Sequence, residues 1–76
     1  MGAEKKRLTI LNNILVMVGA ASEKSLPVDK KKLIAALCID YGVRAMKANE
    51  YIQTLIDGEK VIIKEDGLWI VKKETI

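Results

Sequence analysis

Apolar and polar positions change period along this 76-residue chain, from a helical repeat to a strand-like one. In residues 4–18, Leu8, Leu11, Ile14, Leu15 and Val18 recur at three-four spacing, which is the period of one helical face. Ile10 and Met17 widen that face to about half the circumference, at roughly 100° per residue. Lys5, Lys6, Thr9, Asn12 and Asn13 hold the opposite side. The spacing predicts a first helix over 4–18 with Gly19 as its stop. An arc this wide has two readings: burial on two sides within one domain, or a dimer seam through Ile10, Ile14 and Met17 or a neighbouring subset.

Residues 20–28 are a connection of small and polar residues. Pro27 drives Leu26 out of the α region, so Leu26-Pro27-Val28 is expected as a short first strand that pairs with later ones. Asp29 is a good N-cap for a second helix from Lys30 to about Tyr41, with Leu33, Ile34, Leu37 and Cys38 inward. Gly42 interrupts the pattern, and a third helix runs from about Arg44 to Asp57. Its inward stripe is Ala48, Tyr51, Ile52 and Leu55, with Ile56 at the edge. Its outward side carries Arg44, Lys47, Asn49, Glu50, Gln53 and Thr54, and Gly58 closes it. The break between the second and third helices is only a few residues long, as a helix-turn-helix requires.

Beyond Gly58 the chain turns to two β-branched runs, Val61-Ile62-Ile63 and Leu68-Trp69-Ile70-Val71, joined through Asp66-Gly67. Asp-Gly tolerates the positive φ angles of a type I′ turn, so a two-residue hairpin turn is predicted there. Its strands are expected near residues 60–64 and 69–73, with Trp69 packing the sheet against the helices in preference to standing as an exposed stacking residue. The chain then reads as one domain over 1–76, α+β and mainly helical: a three-helix core with a C-terminal β-hairpin wing.

This chain resembles the winged-helix superfamily over nearly its whole length. The residues that carry the resemblance are Pro27-Val28-Asp29 opening helix two, Tyr41-Gly42-Val43 at the turn, Tyr51-Ile52-Gln53-Thr54-Leu55 with Gly58 closing helix three, and Lys64-Glu65-Asp66-Gly67-Leu68-Trp69 at the wing. The resemblance implies a small antiparallel sheet on the three helices and, in most members, DNA binding. A large minority of members use the same fold for protein contacts.

Half of the residues are hydrophobic (50%), yet Tyr41, Tyr51 and Trp69 are the only aromatics, so the core must be aliphatic. A domain of this length hides only roughly 60% of its chain surface, which favours a self-association surface as well. The net charge of +3, from thirteen basic and ten acidic residues, permits nucleic-acid binding without demanding it. Residues 1–19 carry +2, residues 27–57 carry +1 and residues 58–76 sum to zero, so the excess lies ahead of the hairpin. Cys38 is the only cysteine, which rules out an intramolecular disulfide and fits a reducing compartment. Its apolar helical setting predicts a buried packing thiol. Nothing resembles a signal peptide, and Leu8–Ala21 is too short and too interrupted to span a bilayer. A cytoplasmic protein is expected.

No histidine, metal-ligand cluster, phosphate-binding glycine loop or serine with a nearby base is present. The chain is therefore not expected to be an enzyme, and no catalytic residue, metal, cofactor or small-molecule substrate is implied. The candidate chemistry is DNA contact. Arginine can donate two bonds to guanine, and Asn and Gln suit adenine. Helix three offers Arg44, Lys47, Asn49 and Glu50 in its first turns and Gln53 deeper; the plainer reading of the same residues is a solvated helix face. Lys30, Lys31 and Lys32 open helix two and would neutralise phosphates whatever the sequence. They also oppose the helix dipole, although they would equally solubilise a helix start. Lys5, Lys6 and Arg7 are further basic residues of the same kind. The wing tip, Glu65-Asp66-Gly67, is acidic and would be repelled by phosphate, leaving Lys64, Lys72 and Lys73 on the strand stems as the wing's basic groups. The expected function is transcriptional regulation by a homodimer, joined through the N-terminal helix, that binds double-stranded DNA. The rival is an adaptor domain using the same fold for protein contact in a replication or transcription assembly.

Overall fold

Three lines of buried aliphatic side chains, one from each of three helices, meet under a two-stranded hairpin. The computed structural model describes residues 2–71, with side chains from Lys6 onward. The elements are α1 (Gly2–Glu23), α2 (Lys30–Tyr41), α3 (Ala45–Asp57), β1 (Val61–Lys64) and β2 (Gly67–Ile70). This is the expected three-helix core with a C-terminal hairpin wing. The expected strand extension to residue 73 and the stem residues Lys72 and Lys73 lie outside the described residues, as does the side chain of Lys5.

Gly19 does not stop α1. It lies inside the helix, with nothing within 4 Å of where a Cβ would stand, and the strong helix formers Ala20 and Ala21 carry the helix onward. The end comes at Ser25, which takes a φ of 58°. The Leu26 amide donates to the Ala21 carbonyl at 2.9 Å and the Ser25 amide to the Ser22 carbonyl at 2.9 Å, closing a Schellman motif.

The second and third helices begin and end close to the expected positions. The Asp29 carboxylate accepts from the Lys31 amide at 2.9 Å, and Gly42, at φ 66°, donates its amide to the Cys38 carbonyl. Leu33 and Leu37 are buried; Ile34 and the Cys38 thiol are half-buried. In α3 the stripe Ala48, Tyr51, Ile52 and Leu55 is buried as expected. The end of α3 differs in one respect. Gly58 has a φ of −81°, and the left-handed position falls on Glu59 at 60°. The Lys60 amide donates to the Leu55 carbonyl and the Glu59 amide to the Ile56 carbonyl, again a Schellman motif. A side chain at that position costs about 1 kcal/mol relative to glycine. Glu59→Gly is therefore expected to raise the thermal midpoint by about 4–8 °C for a domain of this size. An unchanged or lower midpoint in a calorimetric scan would contradict this account of the cap.

The hairpin is antiparallel, with Val61↔Ile70, Ile62↔Trp69, Ile63↔Leu68 and Lys64↔Gly67 opposed. The loop does have two residues, but they are Glu65 and Asp66, one position earlier than the turn chemistry implied. Neither has a positive φ, so the turn is not type I′. The unusual conformation falls on Gly67, at φ 141°, the first residue of β2. A long-range contact accounts for the shift. Leu68 and Val28 exchange both backbone hydrogen bonds, at 3.1 and 2.8 Å, which brings the Val28 carbonyl against Gly67. A Cβ on Gly67 would lie 2.6 Å from that oxygen. The expected first strand over Leu26–Val28 is thus a single bridge at Val28.

Side chains on the strands alternate faces. Leu68 and Val61 point into the core and are buried. Trp69 lies on the opposite face, half-buried opposite Ile62, so it does not pack the sheet against the helices as expected; Leu68 does. The indole of Trp69 donates to Asp66 Oδ1 at 2.9 Å, and Lys64 Nζ lies 5.6 Å from its ring centroid.

Ile10, Ile14 and Val18 of α1 are completely buried. Two of the three residues named for a dimer seam are therefore interior, and Met17 is half-buried against the same core. The wide arc of α1 is used on two sides within one domain. Leu11 and Leu15 are half-buried against the core as well, and α1 leaves two large apolar side chains exposed, Leu8 at 60% and Val16 at 67%.

Candidate nucleic-acid interface

The turn between α2 and α3 is Gly42-Val43-Arg44. The left-handed Gly42 reverses the chain, and Arg44, extended at φ −77° and ψ 155°, caps α3 without a side-chain bond. Because Ala48, Tyr51, Ile52 and Leu55 fill one side of α3, the residues between them must face outward. Arg44, Lys47, Glu50 and Gln53 are exposed, as expected. Asn49 is half-buried, on the flank between the core stripe and the exposed face.

The exposed face of α3 is internally paired. Lys47 Nζ lies 3.5 Å from Glu50 Oε2 and 5.6 Å from the Tyr51 ring centroid. Gln53 Nε2 donates to Asp57 Oδ1 at 2.9 Å, and the Thr54 hydroxyl donates to the Glu50 carbonyl. The Lys47–Glu50 pair is more than half exposed on both sides, so it contributes well under about 1 kcal/mol and holds the lysine only loosely. The donors remain available to a stronger acceptor.

Arg7 of α1 joins this face. It lines a shallow depression with Lys47, Glu50, Gln53, Thr54 and Asp57. A second, more apolar depression lies beside it, formed by Val43, Arg44, Met46, Lys47 and Glu50. Met46 is 79% exposed, and Ile39, near the end of α2, is 82% exposed. Sequence reasoning assigned neither residue a role. The available signal was their place outside the apolar stripes of α2 and α3.

None of the α2 lysines lines either depression on α3. Lys31 and Lys32 are exposed on the first turn of α2. Lys30 is half-buried and lines a depression with Asp29, Lys64, Glu65 and Asp66. Three carboxylates and two ammonium groups share that depression, so its local balance is acidic. Lys64, expected as a wing contact, leans over Trp69. The structure thus brings together Arg7, Arg44, Lys47, Glu50 and Gln53 and sets Lys30 beside the wing tip.

Among the described residues, no group of three or more His, Cys, Asp or Glu is placed to hold a metal ion. No helix among them is long and apolar enough to cross a membrane. No family model, curated protein or solved structure matches this chain.

Proposed function

We propose that this chain is a winged-helix DNA-binding protein, a cytoplasmic transcriptional regulator that acts as a homodimer and reads duplex DNA with α3. The observation that carries this reading is the geometry of α3. It follows α2 after a three-residue turn, is anchored by one fully buried stripe, and presents Arg44, Lys47, Glu50 and Gln53 on its exposed side. Arginine and glutamine there have the donors that guanine and adenine edges accept, and Glu50 is an acceptor for cytosine. Arg7 adds a cation next to Lys47 that suits a backbone phosphate. Lys31 and Lys32 supply further charge at the start of α2.

The test is binding to random duplex DNA across a salt series. Affinity should fall linearly on a logarithmic scale as salt rises, through counterion release. Lys31→Ala or Lys32→Ala should weaken binding to every sequence and lower the salt slope by about one for each phosphate left without its lysine. Lys30→Ala should do less, because its ammonium sits among acidic groups at the wing tip. No binding at low salt would reject the DNA reading.

A second reading, a protein-contact adaptor in a replication or transcription assembly, is favoured by two observations. Met46 and Ile39 expose large apolar surface on either side of the turn, and the wing tip, Glu65-Asp66, is acidic. A chain that ignores DNA at low salt would belong to this second class.

A further inference from the structure

Met46 is the one large apolar side chain that α3 leaves exposed, at 79%. At roughly 100° per residue, it lies about 170° round the helix from the middle of the buried stripe of Ala48, Tyr51, Ile52 and Leu55. That direction falls between those of Gln53 and Glu50. Met46 therefore stands at the centre of the outward face, in the first turn of α3. The polar residues around it have partners on the helix itself: Lys47 meets Glu50, and Gln53 bonds Asp57. With Val43, Met46 supplies the apolar part of the depression that Arg44, Lys47 and Glu50 border.

Bringing this face into a major groove takes Met46 out of water. Most of what it would meet there is polar, because base edges present oxygen and nitrogen acceptors and N–H donors. An apolar side chain pressed on such a group removes its water and returns no hydrogen bond, which costs free energy. One group on the base edges differs. Thymine carries a methyl group at C5, and apolar contact with it is favourable. Methionine is unbranched, with three rotatable side-chain bonds and a polarizable sulfur, so its tip can settle on a methyl group without moving the helix.

We infer that Met46 is a specificity-determining residue that packs on the C5 methyl group of a thymine in the major groove. The inference rests on the reading of α3 as the DNA-contacting helix, and it adds to that reading a residue and the base it selects. It gives the depression beside Arg44 an occupant of stated chemistry.

The experiment uses a duplex site selected from random sequence by the full chain. Each thymine in the site is replaced singly by deoxyuridine, which lacks the methyl group and keeps every hydrogen-bonding group of the base. Binding is measured at fixed salt for the parent chain and for Met46→Ala. With the parent, one of the replacements should weaken binding about fourfold, the worth of one buried methyl group. With Met46→Ala the same replacement should leave affinity unchanged. Met46→Ala should fold as the parent does, since the side chain is mostly exposed and alanine favours a helix. Met46→Gln repeats the test with a side chain of similar length and a polar tip, and should also abolish the difference between thymine and uracil. A selected site without thymine overturns the inference. So does a thymine effect of equal size in the parent and in Met46→Ala, which assigns the methyl contact to another residue. A site indifferent to every replacement, in a chain whose discrimination still falls on Arg44→Ala, overturns this inference alone. Absence of DNA binding at low salt removes the reading of α3 and this inference with it, and leaves Met46 to the protein-contact class.

Discussion

Gly67→Val is expected to destabilise the domain by about 3 kcal/mol or more, the range of severe steric and backbone defects. Two independent causes combine. Gly67 has a φ of 141°, which a β-branched residue resists. Its added Cβ would also lie 2.6 Å from the Val28 carbonyl oxygen and 3.0 Å from Pro27 Cβ. The oxygen is backbone, held by the Leu68 amide, so it cannot swing aside as a long side chain would. Relief requires breaking the Val28 bridge or shifting the hairpin. A domain of this size has a total stability of only roughly 4–11 kcal/mol, so the loss should be plain in a urea titration. Gly67→Ala isolates the Cβ from the branching and should cost nearly as much. Gly67→Ala within about 0.5 kcal/mol of the parent chain would refute the close approach.

Arg44→Ala and Gln53→Ala are each expected to cost roughly 1–3 kcal/mol of discrimination between DNA sites, a factor of about 5–150, when the side chain makes a two-bond base contact. The fold should not be disturbed. Arg44 caps α3 without using its side chain, and the one bond of the Gln53 side chain goes to the exposed Asp57. The quantity to measure is the ratio of affinities for a selected site and for random duplex at fixed salt. Affinity for random duplex should change less than that ratio, because base contacts specify while phosphate contacts hold. Folded variants with an unchanged ratio would mean that α3 is only a solvated face, and the reading element would have to be sought elsewhere.

The parts of the fold that could be read in advance are those governed by neighbours in sequence. Asp29 and Gly42 mark the ends of α2 because a cap is a bond between residues two to four apart. The stripe on α3 follows from its spacing alone. One difference, at Gly19, is local; the others arise where a distant contact outweighs a local signal. Gly19 resembles a stop, yet nothing there makes the chain turn, and the alanines after it continue the helix. Asp66-Gly67 resembles a type I′ turn, but the glycine is needed one residue later, against Val28. Leu68 and Trp69 are adjacent and both apolar. Which of them faces the core depends on where Val28 sits, and no periodicity states that. The candidate site divides in the same way. The exposed residues of α3 were legible from the helical period. The approach of Arg7 to them, and the place of Lys30 beside the wing tip, depend on how the elements pack.

Ser22 Oγ accepts a hydrogen bond from the Ile70 amide at 2.9 Å, across 48 residues of chain. With the Val28 bridge to Leu68, it ties the second strand of the wing to the end of α1 and the connection that follows. An isolated two-stranded hairpin is at best marginally stable in water, so the wing has little independent existence. Its formation must wait until the chain has closed a loop across most of its length, and closing long loops is the slow part of folding. The wing is therefore expected to loosen when the end of α1 frays.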